Sequence, residues 1–105
     1  MKSYGRTVIE DLDWGLIPLY ILHRAAIEPV FDLGITEKLN LHGLKLSTES
    51  VSQILRGLEE RGYLVSASLP NGRQSHKTYR ITSRGRLVIK QARQKIRELL
   101  VGLTI

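Results

Sequence analysis

The clearest hydrophobic pattern in the chain lies between residues 48 and 61. Its apolar residues recur at three- and four-residue spacings, the period of one side of an α-helix: Val51, Ile54, Leu55 and Leu58. Ser47 or Thr48 supplies an N-cap before this stripe, and Gly62 follows it as a stop signal. The pattern therefore predicts an amphipathic helix with a polar face opposite the stripe.

Two weaker helical patterns precede this helix. Residues 16–26 are largely apolar and predict a first helix, with Pro18 in its first turn because proline is tolerated there. Residues 30–41 repeat apolar side chains every four residues and predict a second helix, which ends at His42. The amphipathic helix is therefore the third in order.

The period changes to two after the third helix. Residues 63–69 and 76–81 are predicted as strands, and residues 70–72, Pro-Asn-Gly, have the chemistry of a turn between them. Tyr79 and Ile81 share one face of the second strand. The opposite face of that strand is polar: His76, Thr78 and Arg80. A β-hairpin is therefore expected directly after the third helix.

The last helix begins after Thr82 or Ser83 as N-cap and extends to about Val101. Its apolar seam follows alternating three- and four-residue spacings: Ile89, Ala92, Ile96, Leu99 and Leu103. A helix of this length extends beyond the small core of the domain, so its seam is not fully buried within one chain. The seam is therefore predicted to form a homodimer interface. Leu16, Leu19 and Tyr20 of the first helix are expected to contribute to it, although packing wholly against the protein's own first helix is the alternative.

These elements define a mainly α fold with a small β-hairpin, namely a winged helix-turn-helix plus a C-terminal dimerisation helix. The single predicted domain comprises an N-terminal extension over residues 1–15, the winged helix over 16–81 and the dimerisation helix over 82–103. Asp11 and Asp13 are expected in an extended part of that extension.

The amino-acid composition indicates a single globular domain. A chain of 105 residues has room for one core, and its 42% hydrophobic and 25% charged residues are ordinary for a globular domain. It contains no cysteine, and the N-terminus has acids where a signal peptide would be apolar. With no long apolar run for a membrane span, a cytoplasmic protein is expected.

The charge is distributed unevenly along the chain. Residues 1–60 carry six Lys/Arg and nine Asp/Glu, whereas residues 61–97 carry ten Lys/Arg and no acid. Such a segment is either an ordinary solvated surface or a surface that binds a polyanion, of which nucleic acid is the commonest. The cations spaced along one face of the last helix are interpreted as ordinary solvated residues: Arg86, Lys90, Arg93 and Arg97.

A winged helix of this kind places its third helix in the major groove of double-stranded DNA and its hairpin on the neighbouring backbone. The side chains predicted to face bases lie on the third helix: Ser50, Ser52, Gln53 and Arg56. The β-hairpin is the wing of such a fold. The side chains predicted to contact phosphates lie at the start of the third helix and on the wing: Ser47, Thr48, Arg73, His76, Lys77 and Arg80.

Catalytic chemistry is not indicated. The three histidines, His23, His42 and His76, lack metal-ligand spacing, and no nucleophile motif or glycine-rich phosphate loop is present. His23 follows Leu19 by one helical turn and is interpreted as a partly buried helix residue. The sequence therefore predicts neither an enzyme nor a bound metal or cofactor.

Two segments resemble the PadR-type transcriptional regulators. The first is Ile54-Leu55-x-x-Leu58-Glu59-x-x-Gly62-Tyr63-Leu64, and the second is Tyr79-Arg80-Ile81-Thr82-x-x-Gly85. The resemblance covers residues 16–101 and implies a winged helix with a C-terminal dimerisation helix. Where the family often has a tyrosine-proline pair, this chain has Ser52-Gln53.

The resemblance implies a homodimeric, sequence-specific DNA-binding regulator that represses transcription from a pseudo-palindromic operator. Some relatives sense small molecules at the dimer interface, but no residue here indicates such an effector. The alternative is a winged-helix module for protein interaction or RNA binding, without operator recognition. The distinguishing feature is whether Arg56, Arg73, Lys77 and Arg80 share a surface with the polar face of the third helix.

Overall fold

The computed structural model of the chain describes residues 6–69 and 76–105. The elements follow one another in this order: α1 (Val8–Ile27), α2 (Asp32–Leu41), α3 (Thr48–Glu60), β1 (Leu64–Leu69), β2 (His76–Ile81) and α4 (Ser83–Thr104). The two strands form an antiparallel hairpin. Helices and hairpin occur in the predicted order, so the predicted fold class is confirmed.

The predicted start of the first helix is wrong. α1 begins at Val8, and Asp11 and Asp13 lie within it rather than in an extended segment. Its start is set by a capping box, in which the Glu10 N–H donates to Thr7 Oγ1 over 3.1 Å and the Thr7 N–H donates to Glu10 Oε1 over 2.9 Å. Pro18 therefore lies inside α1, where it removes one backbone hydrogen bond without ending the helix.

The core is formed by all four helices and the hairpin. Its fully buried large side chains are Ile21, Leu22, Ile35, Leu39, Val51, Leu55 and Leu64. Three residues of the predicted α3 stripe, Val51, Leu55 and Leu58, are buried, and Ile54 is partly buried against the same core. α3 is thus fixed by its apolar side, and its polar side is left outward.

The connection from α2 to α3 is a short turn closed by one side chain. Asn40 Oδ1 accepts the Leu46 N–H over 3.0 Å, and Asn40 Nδ2 donates to the Leu46 carbonyl over 3.3 Å. Gly43 has φ +88, a conformation that favours glycine. Of the two predicted N-cap candidates, Ser47 is the N-cap of α3, with its Oγ accepting the Ser50 N–H over 3.1 Å.

The second helix begins two residues later than predicted because Val30 pairs with the hairpin. The Val30 N–H donates to the Tyr79 carbonyl over 3.0 Å, and the Tyr79 N–H donates to the Val30 carbonyl over 2.8 Å. This bridge joins the segment before α2 to β2. β2 occupies the predicted residues, whereas β1 begins at Leu64 rather than Tyr63.

The junction between hairpin and last helix is closely packed. Thr82 is the N-cap of α4: its Oγ1 accepts the Gly85 N–H over 3.0 Å and donates to the Gly62 carbonyl over 2.7 Å. The Thr82 N–H donates to the Tyr63 carbonyl over 3.0 Å. Gly85 is buried directly against Tyr63, so the start of α4 is held against the connection between α3 and β1.

The two halves of α4 have different surroundings. In the first half Ile89 is buried, and Arg93 Nη2 lies 2.9 Å from His23 Nδ1 of α1. In the second half the apolar side chains are exposed: Ile96, Leu99, Leu100, Val101 and Leu103. In the part of the chain that is described, no helix is both long and apolar enough to cross a membrane.

Candidate nucleic-acid interface

The outward side of α3 carries the polar residues expected to face bases. Gln53 and Arg56 are exposed, and Ser52 is half-buried beside them. The three positions lie within about one turn of the helix, opposite Val51 and Leu58. α3 therefore presents an amide, a guanidinium and a hydroxyl on a single surface.

Ser52 is not free in this arrangement. Its Oγ donates a hydrogen bond to Asp32 Oδ2 over 2.9 Å, across the contact between α3 and α2. The other carboxylate oxygen, Asp32 Oδ1, accepts the N–H of Leu33 over 2.6 Å. The side chain of Asp32 thus fixes the orientation of the Ser52 hydroxyl.

The residues at the N-terminus of α3 are positioned by capping. Ser47 Oγ accepts the Ser50 N–H and donates to Ser50 Oγ over 3.0 Å. Ser50 and Thr48 are half-buried, and Ser50 lies about a third of a turn around the helix from Arg56. Ser50 is therefore a neighbour of Gln53 but lies on a different side of α3 from Ser52.

Tyr79 joins the wing to α3. Its side chain is buried, and burial raises the pKa of its hydroxyl, with Glu59 adding to the rise, Arg56 opposing it and Asp32 contributing in the same direction as Glu59. Lys77 lies on the same face of β2, with its Nζ 5.9 Å from the centre of the Tyr79 ring. Tyr79 is therefore in contact with Lys77 of the wing and within electrostatic range of Arg56 of α3.

The remaining predicted wing residues lie elsewhere. Arg80 is exposed on the opposite face of β2, where it pairs in register with Val65. Arg73 lies outside the described residues, and of His76 only the backbone, at the start of β2, is described. Of the four cations named as the test of a DNA surface, Arg56 lies on the outward side of α3, Lys77 lies over the Tyr79 ring and Arg80 lies on the opposite face of β2.

A second carboxylate connects α3 to β1. Glu59 Oε2 accepts both the Ser66 N–H over 3.1 Å and the Ser66 hydroxyl over 2.8 Å. This pair fixes the angle between the hairpin and the outward face of α3. Glu59 is part of the PadR-like motif in the sequence, but neither its contact with Ser66 nor the Asp32–Ser52 contact was predicted, because partners seven and twenty residues apart have no periodic signature.

The residues predicted to form a dimer interface divide into two groups. Ile89 is buried, Ala92 half-buried, and Leu19 and Tyr20 are partly buried against the protein's own core. Leu16 and the outer seam residues are exposed: Ile96, Leu99 and Leu103. The protein's own α1 therefore does not cover the whole seam.

Residues 6–69 and 76–105 contain no cluster of three or more histidines or carboxylates that could hold a metal ion. The exposed polar groups on the outward side of α3 are the Gln53 amide and the Arg56 guanidinium, whereas the carboxylates of Asp32 and Glu59 are bonded to serines. Such side chains recognise base edges and phosphates.

A helix-turn-helix formed by α2 and α3, followed directly by a hairpin and a further helix, defines the winged helix-turn-helix class of DNA-binding regulators. The chain belongs to the PadR-like family of transcriptional regulators, whose family model matches residues 21–91. The members of this family are DNA-binding regulators and not enzymes, so the predicted family and the non-enzymatic class are confirmed.

Individual relatives agree with this assignment. Transcriptional regulator Rv3488 of Mycobacterium tuberculosis is 32% identical over 83 residues, covering 79% of this chain and 78% of the relative. A PadR family regulator from Eggerthella lenta has a TM-score of 0.83 at 24% identity, covering 92% of this chain and 86% of its own. A PadR-like regulator from Bacillus cereus has a TM-score of 0.78 at 20% identity, covering 90% and 93%. The two structures support the fold.

Proposed function

We propose that the protein is a sequence-specific repressor that binds a pseudo-palindromic operator as a homodimer. The observation that carries this proposal is the polar outward side of α3, where Gln53 and Arg56 are exposed, beside a hairpin that is joined to α3 through Glu59 and carries Lys77. With α3 in the major groove, Gln53 and Arg56 face base edges while Lys77 faces the phosphate backbone. A two-fold dimer then places two α3 helices about 34 Å apart, one turn of DNA.

The direct test is an electrophoretic mobility shift with fragments from the protein's own genomic neighbourhood. Retarded bands with a few fragments, competed poorly by random DNA, support operator recognition. Equal retardation of all fragments, or preferential binding of RNA, contradicts it and favours the non-operator alternative.

We expect DNA affinity to fall steeply with salt. Residues 61–97 carry ten cations and no acid, and four to six phosphate contacts per dimer release a corresponding number of counterions. The slope of log K against log salt concentration should then be roughly −4 to −5. Fluorescence anisotropy of a labelled duplex across a salt titration measures this slope, and a flat titration contradicts the phosphate contacts.

Substitutions on α3 and on the wing should have different effects. Gln53→Ala or Arg56→Ala should cost about 1–3 kcal/mol at the operator and weaken discrimination against other sequences, because base contacts are lost. Lys77→Ala should weaken operator and random DNA alike, because a phosphate contact is lost. Equal losses on both kinds of DNA for Arg56→Ala would show that α3 does not recognise sequence.

A further inference from the structure

We propose that Asp32 determines which bases Ser52 recognises, by accepting the hydrogen bond of the Ser52 hydroxyl and leaving that side chain only as a hydrogen-bond acceptor toward DNA. The inference rests on the proposed function, in which the outward side of α3 faces base edges. It adds a specificity-determining residue on α2, a helix that carries no other predicted base contact.

The geometry leaves one assignment for the proton. An ionised carboxylate accepts hydrogen bonds and cannot donate them, so in the 2.9 Å contact Ser52 Oγ is the donor and Asp32 Oδ2 the acceptor. The carboxylate is held in place because Oδ1 accepts the Leu33 N–H over 2.6 Å. Both side chains are half-buried.

A serine hydroxyl has one proton and two lone pairs. With the O–H of Ser52 directed at Asp32 Oδ2, only the lone pairs of Ser52 remain for a base. In the major groove the amino groups of adenine N6 and cytosine N4 are donors, whereas guanine presents O6 and N7 and thymine presents O4 as acceptors. Ser52 should therefore favour adenine or cytosine and disfavour guanine or thymine on the strand that it contacts.

The position of Ser52 on α3 makes such a contact reachable. It precedes Arg56 by four residues, so the two side chains are neighbours along the same side of the helix. Gln53 is the next residue and is exposed. The base pair affected by Asp32 should thus be adjacent to those contacted by Gln53 and Arg56.

Asp32→Asn tests the inference with almost no change in shape. The amide oxygen can keep the Leu33 N–H, which places the amide nitrogen at the position of Oδ2, facing Ser52. That nitrogen donates to Ser52 Oγ, so the O–H of Ser52 can point toward the DNA. Ser52 then becomes a donor, and the preferred bases at its position should change to guanine or thymine.

The measurement is selection of bound duplexes from a random pool, followed by sequencing, for the wild-type protein and its variants. Asp32→Asn should exchange the preference at one base pair of each half-site by about three- to tenfold, the value of one hydrogen bond. Ser52→Ala should flatten the preference at that same base pair. Far-ultraviolet circular dichroism confirms that each variant is folded.

Glu37→Gln is the matched control, because it removes the same charge from an exposed position of α2. It should leave every base preference unchanged. A wild-type protein that selects a sequence, together with an Asp32→Asn variant that keeps the same preference or only binds all sequences more tightly, overturns the inference alone. A wild-type protein that selects no sequence overturns the proposed function and this inference with it.

Discussion

Gly85→Ala is expected to destabilise the protein by about 3 kcal/mol, a large share of the stability of a small domain. A Cβ at this position would collide with the Tyr63 carbonyl oxygen and lie 2.7 Å from Ile81 Cγ1. The Tyr63 carbonyl cannot retreat freely, because it accepts the Thr82 N–H that begins α4. The added methyl group must therefore displace backbone, which is a costly form of overpacking.

The matched control is Gly57→Ala on α3, where a Cβ would meet nothing within 4 Å. This substitution should stabilise the protein by about 0.5–1 kcal/mol, because alanine is the better helix former. Urea unfolding followed by circular dichroism, at one fixed protein concentration, measures both changes. A Gly85→Ala variant as stable as the wild type would show that the junction is not closely packed.

The elements predicted correctly from the sequence are those with local signals. The apolar stripe of α3, the cap at Ser47 and the cap at Thr82 each depend on residues within one or two turns. The hairpin followed from a change of period and a turn signal between two strands. In each case neighbouring residues determine the local structure, so their pattern was sufficient.

The first helix shows how two local rules can compete. Proline favours the first turn of a helix, which led to a predicted start near Leu16. Thr7 and Glu10 form a capping box eleven residues before Pro18, and the buried Ile17 and Ile21 lie on either side of the proline. Cap and packing together outweigh the loss of one backbone hydrogen bond, so the helix continues through Pro18.

The site was predictable in composition but not in arrangement. Helical periodicity placed Gln53 and Arg56 on the outward side of α3, and that placement agrees with the structure. The contact of Ser52 with Asp32 depends on how α2 packs against α3. Tyr79 comes within electrostatic range of Arg56 only after the hairpin has packed against α3. Such tertiary contacts have no signature in a single sequence.

Ile96→Glu is expected to dissociate the proposed homodimer and to abolish tight operator binding at the same time. Ile96 is 41% exposed, and the seam residues beyond it are more exposed, with Leu99 at 60% and Leu103 at 84%. A contiguous apolar surface of this kind is typical of a protein interface. Burying each leucine or isoleucine of the seam contributes roughly 1.5–3 kcal/mol, so one buried carboxylate at its centre is enough to disrupt it.

Gln91→Glu is the matched control for the charge, because Gln91 is exposed on the opposite side of α4 from Ile96. Light scattering at micromolar concentration should give twice the chain mass of 11.9 kDa for the wild type and for Gln91→Glu, and the single mass for Ile96→Glu. A single-chain mass for the wild type would refute the dimer.

The DNA affinity of the Ile96→Glu variant tests whether the dimer is needed for recognition. If the folded, monomeric variant still bound the operator tightly, one α3 and one wing would supply the whole affinity, and the dimer would not be needed. If operator binding is instead lost together with the dimer, tight binding requires that both half-sites are bound at the same time, as two-fold symmetry predicts.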